Sequence, residues 1–278
     1  MKCKRVDNKH LGDNFMYPIG ANVENGEGQI LGVGAAALIE LGINSFRKDA
    51  SPGTFVDVGA NFGIVSKLLA KSGLFKHIDA FECNPNIATV LEKNLSNERI
   101  TTNILNRAVG DTCEIIDFII PAGDNSSFGS HNMFGVNVHD HDATGCDTLK
   151  INKITLDSYY NENHRSVSAM KVDVEGYEYD VLMGAKDLIM EHRPIIVYEC
   201  LEIELHQATH RQLWQESGQL ENLSWCKLLA GTDSVLMKDR CSLFLLNELE
   251  YEIQAFPWSR CDILAVPRER RHSGKNLK

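Results

Sequence analysis

The chain of 278 residues has no surplus of basic side chains: 28 Lys and Arg stand against 38 Asp and Glu, a formal net charge of -10. That balance argues against a nucleic-acid polyanion as the main partner, because no spare cations are available to displace its counterions. The one basic run, Arg268-Glu269-Arg270-Arg271-His272-Ser273-Gly274-Lys275, follows the last apolar segment, so residues 268–278 read as a solvated, frayed tail. No Cys-x-x-Cys pair occurs. The eight cysteines (Cys3, Cys83, Cys113, Cys146, Cys200, Cys226, Cys241, Cys261) lack zinc-like spacing, and several sit in apolar segments as buried thiols. No apolar run reaches bilayer length. Residues 30–43 are apolar and glycine-rich, but they are too few to span and include Glu40. The opening Met1-Lys2-Cys3-Lys4-Arg5-Val6-Asp7 leads into no apolar signal segment. The expectation is a chain without a membrane span in a reducing cytoplasm. What is present is 43% hydrophobic residues, enough for a sizeable core in one large or two small domains.

The most informative stretch is residues 55–69. Phe55, Val56 and Val58 form an apolar, β-branched run that ends in glycine, after which Ile64, Val65, Leu68 and Leu69 recur at helical spacing. This predicts a strand, a tight turn and a helix. Gly59 and Gly63 permit a sharp turn and a close backbone approach to a ligand, with Ala60 and Asn61 between them. Free amides at the helix start add a weakly positive pole. Asp57 falls near the carboxyl end of the strand, where open parallel sheets place their ligands. A dinucleotide fingerprint would need a third glycine, and an acid beside a pyrophosphate would be repulsive. Asp57-Val58-Gly59-Ala60-Asn61-Phe62-Gly63 instead resembles the first motif of S-adenosylmethionine-dependent methyltransferases.

The next unit, His77-Ile78-Asp79-Ala80-Phe81-Glu82, ends in an acid at the distance where a βαβ unit places its ribose-binding carboxylate. Cys83 and Asn84 follow, and Pro85 suits the first turn of a helix. Residues 103–110 read as a third strand with its exit, where Ala108 and Val109 have the small apolar character of an adenine pocket. Residues 113–120 read as an added strand. The polar loop from 123 to 146 is long enough to be functional. Its His139-Asp140-His141-Asp142 offers metal-ligand types, but nothing nearby fixes them, so no metal is assigned. Thr155 or Asp157 caps a helix. Ala169-Met170-Lys171-Val172-Asp173-Val174-Glu175-Gly176-Tyr177-Glu178 then repeats the pattern of strand, acids, glycine and helix. Glu175 shares a side with Asp173 only while the chain stays extended. Glu199 closes the next strand, so Asp57, Glu82, Asp173 and Glu199 all fall at carboxyl strand ends. A helix over 201–218 and strands at 225–229 and 261–267 complete the reading, the last two paired antiparallel at one edge.

Taken together, the early Asp-x-Gly-Ala-Asn-x-Gly, Glu82 to Pro85, Leu156-Asp157, the Lys-x-Asp-x-Glu-Gly-x-Glu of Lys171 to Glu178, and the closing Asp262-Ile263-Leu264-Ala265-Val266-Pro267 resemble the FkbM-type methyltransferase family over about residues 53–267. Cys83-Asn84 before Pro85 is a small departure from the commoner Glu-Pro. The resemblance implies an α/β, Rossmann-like seven-stranded methyltransferase sheet, mostly parallel with an antiparallel edge strand and with helices on both faces. Residues 1–52 would form a lead-in or cap before the domain at 53–267.

It also implies S-adenosylmethionine as donor, held by Asp57, Gly59, Ala60, Asn61, Gly63, Glu82, Cys83, Ala108, Val109 and Asp173. Transfer would go to a hydroxyl of a sugar, glycan, lipid or secondary metabolite. Asp173 is the first choice for base or acceptor anchor and Glu175 the second; equally, Asp173 is a donor amino-group contact. The rival readings are a methyltransferase-fold scaffold without turnover and a nucleotide-dependent oxidoreductase. A protein or nucleic-acid methylase is the weaker third, for want of a basic groove or an Asn/Asp-Pro-Pro-Tyr-like amine site.

Overall fold

The computed structural model describes residues 3–8, 11–18, 27–46, 53–120, 147–174, 176–200, 235–255 and 262–270. A hairpin opens the chain, with β1 (Cys3–Asn8) antiparallel to β2 (Gly12–Pro18), and helix α1 (Glu27–Phe46) follows. Then come β3 (Thr54–Val58), α2 (Ile64–Ser72), β4 (His77–Phe81), α3 (Pro85–Leu95) and β5 (Thr101–Leu105). These are the expected βα units. Asn84 caps α3 by accepting the Asn86 N–H at 3.0 Å, with Pro85 in the first turn.

Short β6 (Ala108–Val109), β7 (Glu114–Ile120) and β8 (Asp147–Ile154) make a separate three-stranded sheet. The chain returns through α4 (Leu156–Asn163), β9 (Val167–Val172), α5 (Glu178–Met183), α6 (Lys186–His192) and β10 (Ile195–Glu199). Thr155 caps α4 by accepting the Ser158 N–H at 3.1 Å. Asp157 caps a different helix, its carboxylate accepting the amides of Asp187 at 3.2 Å and Leu188 at 2.8 Å at the start of α6. Helix α7 (Val235–Glu248), β11 (Tyr251–Ala255), β12 (Asp262–Pro267) and a 3-10 turn (Arg268–Arg270) follow.

The central sheet has seven strands in the order β11-β12-β10-β9-β3-β4-β5. Strands β10, β9, β3, β4 and β5 run parallel, while β12 is antiparallel to both β10 and β11. The reversed strand therefore lies at the edge region, one place in from the border. Its outer partner is β11, and the strand expected at 225–229 lies outside the described residues, as do the helix expected over 201–218 and the loop from 123 to 146.

Alternation along each strand divides the core. Phe55, Ala169, Ile195, Val197 and Leu264 face α1, α2 and α3, whereas Val56, Met170, Ile196, Tyr198 and Ile263 face α4, α5, α6 and α7. A third, smaller cluster joins the hairpin to α3 through Leu11, Phe15, Tyr17, Phe62, Ile87 and Val90. The start of the basic tail is anchored, since Glu269 makes two hydrogen bonds to Arg193, at 2.7 and 2.8 Å.

Candidate functional site

The site starts where β3 ends. Gly59 (φ 74°), Asn61 (φ 51°) and Gly63 (φ 83°) all lie in the left-handed region that disfavours L side chains. A Cβ on Gly59 would stand 1.8 Å from the Asp173 carbonyl oxygen, and one on Gly63 would stand 2.5 Å from Leu91 Cδ1. Protein thus fills the space these glycines leave: the exit of β9 at the first and helix α3 at the second. The turn is sewn to the neighbouring strand, because the amides of Gly59 and Ala60 both donate to the Phe81 carbonyl, at 3.0 and 2.9 Å.

One residue beyond Phe81 stands Glu82. Its carboxylate accepts the Asn61 amide at 3.0 Å and the Asn84 amide at 2.8 Å. The residue is 8% exposed. Burial pushes its pKa up to about 7, against the pull of those two amides. Cys83 Sγ lies 3.9 Å from Glu82 Oε1, and burial beside that carboxylate raises the thiol's pKa. Asn106, which the sequence reading passed over, fixes this exit by donating from Nδ2 to the carbonyls of Glu82 and Cys83, at 2.8 and 2.9 Å. Of the expected adenine-pocket pair, Val109 packs into the core beside Phe81 and Leu156, and Ala108 is half-buried.

The strands on the other side of β3 carry charge. Asp57, penultimate in β3, is fully buried; its Oδ2 accepts the Ser66 hydroxyl at 2.6 Å, and its Oδ1 has no hydrogen-bond partner. Lys171 is its register partner on β9, with Nζ 4.0 Å from Asp57 Oδ1 and 2.8 Å from Asp173 Oδ2. Nothing in the sequence reading gave Lys171 a role of its own. A lysine inside an otherwise apolar, buried strand was the available signal, since such an ammonium must be paired. Burial acts to lower the Lys171 pKa, but Asp173, Asp57 and Asp262 outweigh it and the group is held charged.

Burial raises the Asp57 pKa against the opposing pull of Lys171 and Ser66. Asp262, first in β12 and paired in register with Glu199, is pushed to about 7 by burial and by Asp173. Alternation places Asp57, Lys171, Asp173, Glu199 and Asp262 on the sheet face that α1 and α2 cover. Asp173 is the accessible member of the Lys171 pair, with its side chain 33% exposed. Glu175, His139 and His141 lie outside the described residues. No group of three or more metal-ligating side chains occurs among the described residues.

The structure brings Asp57, the 59–63 turn, Glu82 and Asp173 to the carboxyl ends of three adjacent strands, β9, β3 and β4. A mostly parallel seven-stranded sheet with one reversed strand, a glycine turn at one exit and a buried acid at the next defines the methyltransferase class of α/β folds. A family model for the methyltransferase FkbM domain matches residues 57–224, more than half of the chain, and the protein belongs to that family.

Among solved structures it is similar to methyltransferase FkbM from Methylobacillus flagellatus KT, at 14% identity and a TM-score of 0.44, covering 94% of this chain and 63% of that one. The chain thus spans less than two thirds of that relative's length. It is also similar to Aeropyrum pernix fibrillarin with natively bound S-adenosyl-L-methionine (10% identity, TM-score 0.39, 84% of this chain and 75% of that one). A third is the plantazolicin methyltransferase BpumL in complex with SAH (13% identity, TM-score 0.37, 89% and 88%). No curated protein matches the chain significantly.

Proposed function

We propose that this protein is an S-adenosylmethionine-dependent O-methyltransferase acting on a hydroxyl of a sugar, glycan, lipid or secondary metabolite, with 53–267 as its catalytic domain and 1–52 as a cap. The observation that carries the reading is the junction of the 59–63 turn with Glu82, next to a buried Asp57 oxygen that lacks a hydrogen-bond partner. A buried acceptor without a donor is costly unless a ligand supplies one, and an amino group is a fitting donor for Asp57. Glu82 has two amides on its carboxylate and acceptor capacity left for two ribose hydroxyls. Cys83 and Ala108 flank the adenine side.

When bound, S-adenosylmethionine supplies a methyl carbon made electrophilic by its sulfonium. The protein's own part is to position an acceptor hydroxyl in line and to remove its proton. Asp173 serves that step: Lys171 holds Oδ2, and the partly exposed carboxylate is presented beside the turn for a hydroxyl proton. Lys171 keeps the carboxylate oriented throughout. Glu175 follows Asp173 by two residues and is the second choice.

No helix among the described residues is long and apolar enough to cross a membrane, and the acceptor is a small molecule or glycan. The test is methyl transfer from labelled donor to a panel of hydroxyl acceptors, with wild type and Asp173→Ala. Transfer to a hydroxyl that collapses in the variant supports the reading. Donor binding without transfer to any acceptor would favour the scaffold reading.

A further inference from the structure

The hairpin β1–β2 precedes the stretch that matches the family, which begins at residue 57. It is nevertheless bonded to the donor turn through one side chain. Asn94, in the last turn of α3, is 3% exposed. Its Oδ1 accepts the Met16 amide at 2.7 Å, and its Nδ2 donates to the Met16 carbonyl and to the Phe62 carbonyl, each at 2.8 Å. One amide group therefore uses both donors and its acceptor on backbone, two bonds to the hairpin and one to the turn. Lys67 of α2 ties down the same residue's main chain by donating to the Asn94 carbonyl at 2.6 Å, and it is paired with Glu98 at 2.6 Å. Apolar contact reinforces the junction, because Phe62 of the turn packs with Leu11, Phe15 and Tyr17 of the hairpin region and with Ile87 and Val90 of α3.

The bond to Phe62 matters because of what lies one residue earlier. The Asn61 amide donates to Glu82, and the Phe62 carbonyl accepts from Asn94. The short left-handed segment is thus held from two sides, by the acid assigned to the ribose and by an asparagine anchored in the hairpin. We infer that Asn94 is a positioning residue for donor binding, through which the N-terminal hairpin sets the conformation of the 59–63 turn and hence of the Glu82 carboxylate. The inference rests on the donor site proposed above. It makes the hairpin energetically part of that site, and by reciprocity donor binding must tighten the hairpin.

The experiment is residue-resolved amide hydrogen exchange of the full chain with and without S-adenosylhomocysteine, together with calorimetric donor affinity, for wild type, Asn94→Asp and Val90→Ala. Asn94→Asp keeps the acceptor for Met16 and removes both donors. Val90→Ala thins the same apolar cluster and leaves the bonds intact. In wild type the ligand slows exchange at Asn61 and Gly63 and also at Met16. In Asn94→Asp the ligand's effect on Met16 disappears and donor affinity falls roughly tenfold, the scale of one lost buried hydrogen bond. Val90→Ala, compared at equal loss of thermal stability, keeps donor affinity within about twofold.

The inference is overturned by protection of the turn without protection of Met16 in wild type, an arm that needs no variant to fold. It is equally overturned by unchanged affinity in Asn94→Asp, or by an equal affinity loss in Val90→Ala. If wild type shows neither donor binding nor protection of the turn, the donor-site reading itself falls and this inference with it.

Discussion

Two buried carboxylates on adjacent strands, Asp57 on β3 and Asp79 on β4, are equally inaccessible at 0% exposure and served very differently. Asp79 accepts from Asn103 Nδ2 at 2.7 Å, the Tyr160 hydroxyl at 2.6 Å and the Arg165 guanidinium at 2.6 Å, so both its oxygens are occupied. Asp57 accepts one hydroxyl, and the ammonium nearest its other oxygen is 4.0 Å away. The two also face opposite sides of the sheet. Asp79 meets α4, while Asp57 meets α2 at the carboxyl end where Gly59 turns. A carboxylate with both oxygens occupied fixes packing, whereas a strand-exit carboxylate with one oxygen unpartnered fits the donor site proposed above. In the function proposed above, Asp79 serves the fold and Asp57 the donor site.

Several substitutions break or sharpen that contrast. The largest effect is expected from Asp173→Ala, which removes the accessible acid of the Lys171 pair: kcat falls by about 10² to 10⁴, the usual contribution of a positioned base. Calorimetry then gives a donor affinity within about threefold of wild type, on the same basis that the loss lies in proton transfer. A parallel collapse of donor affinity would instead make Asp173 a contact of the donor's amino group.

Asp79→Ala comes next. It takes the shared acceptor from Tyr160, Asn103 and Arg165, leaving the last its 3.2 Å bond to the Tyr159 hydroxyl, so chemical denaturation should show a loss of about 3 kcal/mol, while donor affinity below the unfolding transition stays as in wild type. If the stability of Asp79→Ala is nearly unchanged and donor binding is lost, the division between the two clusters is wrong.

A pH series sharpens the functional side. Glu82 has a folded pKa of about 7, above its ordinary 4.5. Its contribution to stability is therefore fully present below about 4.5 and is lost as pH rises through about 7, where the buried group ionises. If Glu82 holds the donor's hydroxyls as proposed, its ionised form is the stronger acceptor, so donor affinity should change in the opposite sense, rising about tenfold from pH 6 to pH 8. Asp262 also titrates near 7, so Glu82→Gln, which should flatten most of the rise, separates the two. The smallest effect belongs to Thr155→Ala, which removes the α4 cap at a cost of about 1 kcal/mol and leaves donor affinity unchanged by the same calorimetric measure.

Most of the central sheet was legible because β3, β4, β9, β10 and β12 are apolar runs that end against charged or glycine residues. The turn at Gly59 and the acid at Glu82 were legible for the same reason. The hairpin was not. Cys3-Lys4-Arg5-Val6-Asp7-Asn8 has no apolar period, and its strand state depends on tertiary anchors, Phe15 and Tyr17 against α3 and Asn94 on Met16. Strand β11 is not signalled although Tyr251, Ile253 and Ala255 alternate with polar residues, because the run is short and no Gly or Pro marks the turn at Leu249-Glu250 that separates it from the helix. By sequence Lys171 is only one member of the Lys-x-Asp-x-Glu-Gly-x-Glu motif. Its role depends on register with Asp57, and register between strands separated by over a hundred residues is set by packing and not by local pattern. Asp157 shows the same limit: it was a sensible cap for the helix it begins, yet it caps α6, thirty residues away, because Thr155 already holds the local amide.

The most direct test of the central claim is calorimetric titration of S-adenosylmethionine into wild type and Glu82→Ala, with NAD as control ligand. Wild type is expected to bind the methyl donor with micromolar affinity and not to bind NAD, and Glu82→Ala to lose at least about a hundredfold in donor affinity, about what two hydrogen bonds to a buried charge contribute. Folded wild-type protein that ignores the donor, or a Glu82→Ala protein that binds it as tightly as wild type, would contradict that claim.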